Sequence, residues 1–220
     1  LSKLKFAQKL FRSVNISHGY RSTYGIASFN TSLLYKQDGS ARDLSNNFIP
    51  KEEFGAVAIT EQFSPLIGID FSTTGQLSGR FEYRKSRQLS MSLVDFQLSE
   101  VRSTEVTFGM RWRKRGFPLP FRIKLGKKEP TGKLENDITF SLDFSIRDDI
   151  NSNSRLDQAN AFATGGQRVV TIRPTIDYVI SNRVNIQLYF DQRRLNPYIS
   201  NAAPSVNTRA GVQVRISLAQ

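Results

Sequence analysis

The chain has 220 residues, 39% of them hydrophobic and 11% aromatic, with no cysteine, one histidine and a formal net charge of +12. This composition excludes a disordered chain, a disulfide framework and thiol metal ligands, and the charge points to anionic partners, nucleic acid and lipid head groups being the two candidates. The longest apolar runs, such as Leu33-Leu34-Tyr35, fall far short of the roughly 20 residues that a membrane-spanning helix needs.

Residues 1–12 are expected to form a short interfacial helix, because Leu1, Leu4, Phe6, Ala7, Leu10 and Phe11 recur at helical spacing against lysines. Over 13–220 the period becomes two. One long strand is expected at 13–36, with a bulge where the apolar parity shifts between Ile26 and Phe29. Strands follow at 53–72 and 76–95. Over 104–113, Val106, Phe108, Met110 and Trp112 alternate with Glu105, Thr107, Gly109 and Arg111. The cleanest stripe, at 136–147, sets Ile138, Phe140, Leu142, Phe144 and Ile146 against Asp137, Thr139, Ser141, Asp143, Ser145 and Arg147. A strand at 167–181 carries Arg173 and Asp177. Two more place Val184, Ile186, Leu188 and Phe190, then Val212, Val214 and Ile216, on one side, the last with Arg215 on the other. About eight strands result. Pro65 and Pro174 fall inside two of them and are expected to mark bulges or edges.

The connections give a second line of argument. Turns at 73–76 and 181–183 are tight, whereas those at 36–53, 148–166 and 195–206 are long and rich in Asn, Asp, Ser, Gly and Pro. Outer-membrane barrels alternate short periplasmic turns with long external loops in this way. The basic connection 114–133 departs from the pattern by being long on the periplasmic side.

Alternation by itself also fits a soluble sandwich or small barrel. Strands of ten or more residues favour a membrane barrel. So does the gathering of Tyr20, Tyr24, Tyr35, Phe71, Phe81, Trp112, Tyr178, Phe190 and Tyr198 towards strand ends, where interfacial girdles lie. The expected fold is therefore all-β, antiparallel and transmembrane. The lipid-facing set is Val106, Phe108, Met110, Trp112, Ile138, Phe140, Leu142, Phe144, Ile146, Val184, Ile186, Leu188, Val212, Val214 and Ile216. The lumen-facing set is Arg80, Glu82, Arg84, Glu105, Arg111, Asp137, Asp143, Arg147, Arg173, Asp177 and Arg215.

Catalytic signals are absent from the pattern. His18 stands alone on an alternating strand and reads as structural or interfacial, since a catalytic role needs an acid and a nucleophile beside it. Asp148, Asp149, Asn151 and Asn153 lack the glycine turn and terminal glutamate of a calcium loop and read as a solvated loop. Gly165-Gly166 opens no helix and implies no phosphate cradle. The basic runs Arg111-Trp112-Arg113-Lys114-Arg115 and Lys127-Lys128 read as positive charge at a membrane edge, meeting phosphate or lipopolysaccharide head groups, because Trp112 continues an apolar stripe. No catalytic residue, cofactor or metal is assigned.

Several segments together resemble the C-terminal end of the SprA/Sov family. They are Ser-His-Gly-Tyr-Arg-Ser-Thr-Tyr at 17–24, Glu-Gln-Phe-Ser-Pro-Leu-Ile-Gly-Ile-Asp at 61–70, Phe-Glu-Tyr-Arg-Lys-Ser-Arg at 81–87, Phe-Ser-Ile-Arg-Asp at 144–148 and Gly-Gln-Arg-Val-Val-Thr-Ile at 166–172. Phe-Asp-Gln at 190–192, Pro-Tyr-Ile-Ser at 197–200 and the ending Arg-Ile-Ser-Leu-Ala-Gln at 215–220 complete the set. The resemblance implies the outer-membrane translocon of the type IX secretion system of Bacteroidetes, a very large barrel that exports folded cargo and supports gliding motility in some members. On that basis the chain is expected to be the C-terminal part of a very large outer-membrane barrel whose remainder lies upstream of Leu1. Its strand at 207–219 would pair with the first strand of that remainder. Implied partners are a PorV-like shuttle barrel, a periplasmic plug protein, secreted cargo proteins and membrane lipid or lipopolysaccharide, with no nucleic acid. The ending Leu218-Ala219-Gln220 lacks the terminal aromatic of ordinary outer-membrane barrels. Two other readings are an independent eight-stranded barrel acting as an adhesin, structural protein or membrane enzyme, and a soluble basic β-domain binding nucleic acid.

Overall fold

The computed structural model describes residues 9–117, 136–156, 161–181, 184–199 and 202–217. They form one antiparallel sheet of nine strands. The strands are β1 (Phe11–Ser17), β2 (Tyr20–Thr31), β3 (Glu52–Thr73), β4 (Leu77–Ser92), β5 (Gln97–Lys114), β6 (Asp137–Arg155), β7 (Ala161–Ser181), β8 (Val184–Pro197) and β9 (Ser205–Ile216). From β3 to β9 each strand pairs with the next in sequence. β1 and β2 lie end to end on the outer side of β3, β1 against 68–73 and β2 against 52–63. The nine strands thus occupy eight positions across the sheet.

The expected single strand at 13–36 is corrected to two strands that end at Thr31. Its break at His18-Gly19 has a cause on the neighbouring strand. β3 spends Ser64, Pro65 and Leu66 opposite the single residue Arg84 of β4, since Phe63 pairs with Lys85 and Ile67 with Tyr83. This is a bulge built around Pro65, which has no N–H to donate to a ladder, and whose peptide bond to Ser64 is cis. The edge strand bends to follow it. Gly19 N donates to Pro65 O at 2.9 Å, Ser64 N donates to Gly19 O at 2.9 Å, and His18 Nδ1 lies 2.7 Å from Leu66 O. A Cβ at Gly19 would sit 3.0 Å from Ser64 O, so this close approach suits glycine. The second irregularity of the edge, at Ile26–Phe29, falls where the sequence parity shifts.

Pro174 differs from the expectation of a bulge or edge. It lies in the interior strand β7, opposite Leu142, and the β7–β8 register is the same on either side of it, Ile172 facing Gln192 and Thr175 facing Tyr189. Only the rungs of Arg173 and Pro174 towards β8 are missing. The proline removes a donor without shifting the frame.

The strands also run farther than their apolar stripes. β6 continues to Arg155, β7 starts at Ala161, β8 continues to Pro197 and β9 starts at Ser205. The long connections expected at 148–166 and 195–206 therefore shrink to 156–160 and 198–204. The connection 32–51 keeps its length and folds on itself. Arg42 bridges to Phe48, with its guanidinium 3.1 Å from the ring centroid, and Asp43 accepts the Ser45 and Asn47 amides at 2.8 Å each. At the opposite end, Thr73 Oγ1 accepts Leu77 N at 3.2 Å and closes the tight turn 74–76. Of the helix expected at 1–12, residues 1–8 lie outside the described residues, and Phe11 and Arg12 are strand.

The sheet is a single layer. Substantial contacts between elements occur only between sheet neighbours, and Val169 is the sole buried hydrophobic side chain among the described residues. The chain exposes 17084 Å², against roughly 10,000 Å² for a compact monomer of 24.9 kDa. Globular domains hide their apolar surface between two packed layers, and the described residues form one layer. Among the described residues the outer side of β1 and β2 and the outer side of β9 carry no partner strand, so the sheet is open.

Candidate functional site: an apolar band and a charged face

In an antiparallel ladder, residues directly opposite one another point to the same side, so the register sorts the side chains into two faces. One row runs Phe71, Gly79, Met110, Leu142 and Pro174, and by the unbroken register reaches Phe190 and Ala210. The parallel row one step along runs Ile69, Phe81, Phe108, Phe144 and Ile172. All fifteen residues expected to face lipid, from Val106 to Ile216, lie on this apolar face. All eleven charged residues expected to face a lumen, from Arg80 to Arg215, lie on the other.

The apolar stripes stop at different places on successive strands. They cover 63–71 on β3, 77–83 on β4, 106–112 on β5, 138–146 on β6, 170–178 on β7 and 184–190 on β8. The row of Phe71, lowest on β3, meets β8 at Phe190, six residues from the lowest apolar residue there, Val184. The row of Phe63, the last apolar residue of β3 before Glu61 interrupts the face, meets β8 at Asn196, six residues from Phe190, and Ile59, Val57, Leu89 and Met91 resume the apolar face beyond the charges. The lower edge therefore descends stepwise, through Phe71, Leu77 and Trp112, Ile138 and Tyr178, to Val184, whereas the upper edge keeps one row over β4–β7, at Tyr83, Val106, Ile146 and Val170, and drops at β8. Along the lower edge, six residues at about 3.3 Å over five strand spacings of about 4.8 Å give an inclination of about 40°, the tilt of strands in membrane barrels. The stripe at 138–146 runs about 26 Å along β6 and, so tilted, about 20 Å across the band.

The opposite face is charged and internally paired. Asp70, Arg80, Asp143, Arg173, Asp191 and Arg209 alternate in sign along one row, with Gly109 between Arg80 and Asp143. Arg80 Nε lies 2.6 Å from Asp70 and Arg173 Nε 3.2 Å from Asp191. Arg84 reaches Glu82 and, at 3.7 Å, Glu105, Arg147 meets Asp149 at 2.9 Å, and Arg113 pairs with Asp137. The arginines are about half exposed. Such pairs contribute about 0–1 kcal/mol each. Their effect is to keep the face hydrated and near charge balance.

Past the upper edge of the band the apolar face turns charged, strand after strand. The first charged residues there are Glu61 on β3, Lys85 on β4, Arg102 on β5, Asp148 on β6, Arg168 on β7 and Arg194 on β8, joined by Arg87 and Glu100. Arg87 binds Glu100 at 2.6 Å and Glu61 at 3.8 Å, Arg102 reaches Glu100 at 3.6 Å, and Arg168 binds Asp148 at 2.8 Å. Tyr20 donates to Glu61 at 3.2 Å, and Tyr198 donates to Asp148. Sequence reading missed this girdle. The signal was the first charge after each apolar stripe, but only the register lines those charges up.

Other expectations are relocated. The run Arg111–Arg115 is split by the strand: Arg111 and Arg113 share the charged face, and only Lys114 shares the face of Trp112. Lys127 and Lys128 lie outside the described residues. Among the girdle aromatics, Phe81 and Phe190 sit in middle rows rather than at strand ends. Asp148, Asp149, Asn151 and Asn153 are residues of β6 rather than of a solvated loop, Asp148 and Asp149 lying on opposite faces and Asp149 accepting the Ser103 hydroxyl at 2.6 Å. His18 tilts against Phe63 with centroids 6.1 Å apart. Among the described residues no three His, Cys, Asp or Glu side chains converge on a point.

No family model matches this chain, and no curated protein matches it.

Proposed function

We propose that this chain is a stretch of the wall of an outer-membrane channel that exports folded cargo proteins, the C-terminal part of a very large barrel of the SprA/Sov kind. The observation that carries the membrane part of this reading is an apolar band on a one-layer sheet whose lower edge descends obliquely across the strands. A flat slab of lipid crossing tilted strands produces an edge of that obliquity. The charged face then lines water. Conduction needs no bond-making residue, and the wall acts passively by excluding lipid from the lumen.

The open edges at β1/β2 and β9 fit incorporation into a larger ring, because exposed edges inside a bilayer are too costly to persist. The resemblance supplies the remaining partners: a shuttle barrel, a periplasmic plug and the exported proteins. A nucleic-acid surface fits less well, since the cations of the charged face are interleaved with carboxylates rather than gathered into an electropositive stripe.

Fractionation of cells that make the protein containing this sequence, probed with an antibody to the 32–51 connection, tests the reading. Scaling eight strand positions in 220 residues to a barrel of about 36 strands gives an outer-membrane band of roughly 100 kDa or more. A heat-modifiable membrane band near 24.9 kDa would point instead to a small independent barrel, and a soluble band of any size would overturn the membrane reading.

A further inference from the structure

The girdle above the band is rich in cations, and two of them have no ion-pair partner among the described residues. Lys85, Arg87, Arg102, Arg168 and Arg194 stand against Glu61, Glu100 and Asp148. Glu61 and Glu100 are taken by Arg87 and Arg102, and Asp148 is taken by Arg168. Lys85 and Arg194 are exposed on the same face, one beside the last apolar residue of β4 and the other two rungs beyond Phe190 on β8. Neither has an ion-pair partner among the described residues. At the other edge of the band Lys114 shares the apolar face among the described strand residues.

We infer that this girdle, led by Lys85 and Arg194, binds the phosphate groups of anionic lipid in the leaflet on the side of the 32–51 connection. The inference rests on the membrane reading above. A cation at the edge of an apolar band meets the lipid at head-group depth, where a phosphate is the available anion. An unpaired ammonium or guanidinium there gains about fivefold in local lipid affinity per charge, and the attraction weakens as salt screens it.

These 220 residues hold no cysteine, so in the full protein, with any cysteine elsewhere replaced by serine, Thr104→Cys, which lies on the apolar face between Lys85 and Asp148, places one fluorophore in the girdle. The labelled protein is reconstituted into vesicles containing brominated phosphatidylglycerol or brominated phosphatidylcholine, and quenching reports which lipid lies beside the label. Preferential quenching by phosphatidylglycerol is expected, falling about fivefold with each of Lys85→Gln and Arg194→Gln. Arg209→Gln and Arg215→Gln, on the opposite face, are expected to leave it unchanged. Equal quenching by the two lipids, or equal loss in the opposite-face variants, would overturn the inference. So would abolition of the preference by inorganic phosphate at matched ionic strength, which would mark a site for a free anion. Failure of the labelled protein to float with vesicles would instead remove the membrane reading on which the inference stands.

Discussion

The lower and upper parts of β6 are one continuous strand with one continuous pair of ladders, yet their side chains follow different patterns. Over 138–146 every second side chain is apolar and the alternate ones are polar or charged. From 148 to 155 the same face carries Asp148, Ile150, Ser152 and Ser154, while the other stays polar. The backbone does not register the change. Hydrogen bonds within the sheet satisfy its N–H and C=O groups in lipid or in water, so on the proposed membrane reading only the side chains record where the medium changes. The comparison teaches that strand length and band height are separate quantities in this protein.

Phe140→Arg puts a charge in the middle of the band and is expected to destabilise the inserted protein by about 2–4 kcal/mol, whereas Ser152→Arg, on the same face and strand but beyond the girdle, is expected to cost about 0–1 kcal/mol. Denaturant titration of the two variants in lipid measures both, and equal costs would dissolve the distinction between the two parts. Gly166→Ala probes whether the outer part is firmly built. Its new Cβ would lie 2.7 Å from Asp149 O and 2.9 Å from the Tyr198 ring, so the backbone must shift, at an expected cost of about 1–3 kcal/mol. Gly25→Ala, with no atom within 4 Å of its Cβ, is the matched control, and heat-modifiability on gels ranks the pair.

Asp191→Asn removes the partner of Arg173 on the hydrated face. Because that arginine is 57% exposed, a loss of less than about 1 kcal/mol is expected, shrinking further at high salt; a loss comparable to that of Phe140→Arg would mean the charged face is not hydrated. The smallest effect is local. Asp43 is held below the usual carboxylate range chiefly by the Asn47 amide and then by the Asn47 side chain. A lowered folded value means that the order it lends the 32–51 connection is full above the ordinary value of about 3.9 and is lost as pH falls through the lowered one. Hydrogen exchange at the Asn47 amide, followed with falling pH, is expected to accelerate in that window, and Asp43→Ala is expected to abolish the dependence while leaving the strands unchanged.

Much of the sheet was legible in the residues because alternation is a local property. The stripe of Ile138, Phe140, Leu142, Phe144 and Ile146 identifies a strand and its apolar side without reference to any neighbour. The parity shift near Ile26–Phe29 likewise marks a bulge. The extension of β6 to Arg155 was not legible, because past Asp148 both faces are polar and the period-two contrast disappears. Nor was the break at His18-Gly19, whose cause is the Pro65 bulge on β3, 47 residues away from His18 in the chain.

The sequence by itself determined which segments are strands, which side of each is apolar, and where along each strand the apolar run stops. Tertiary structure alone decided how those stopping points align. Register is set by hydrogen bonds, turns and bulges between strands, and no single strand carries that information. Only through it do Lys85, Asp148 and Arg168 share one row, with Arg102 one step beyond it and Arg194 one step short of it, and Asp70, Arg80, Asp143, Arg173, Asp191 and Arg209 one row of alternating charge.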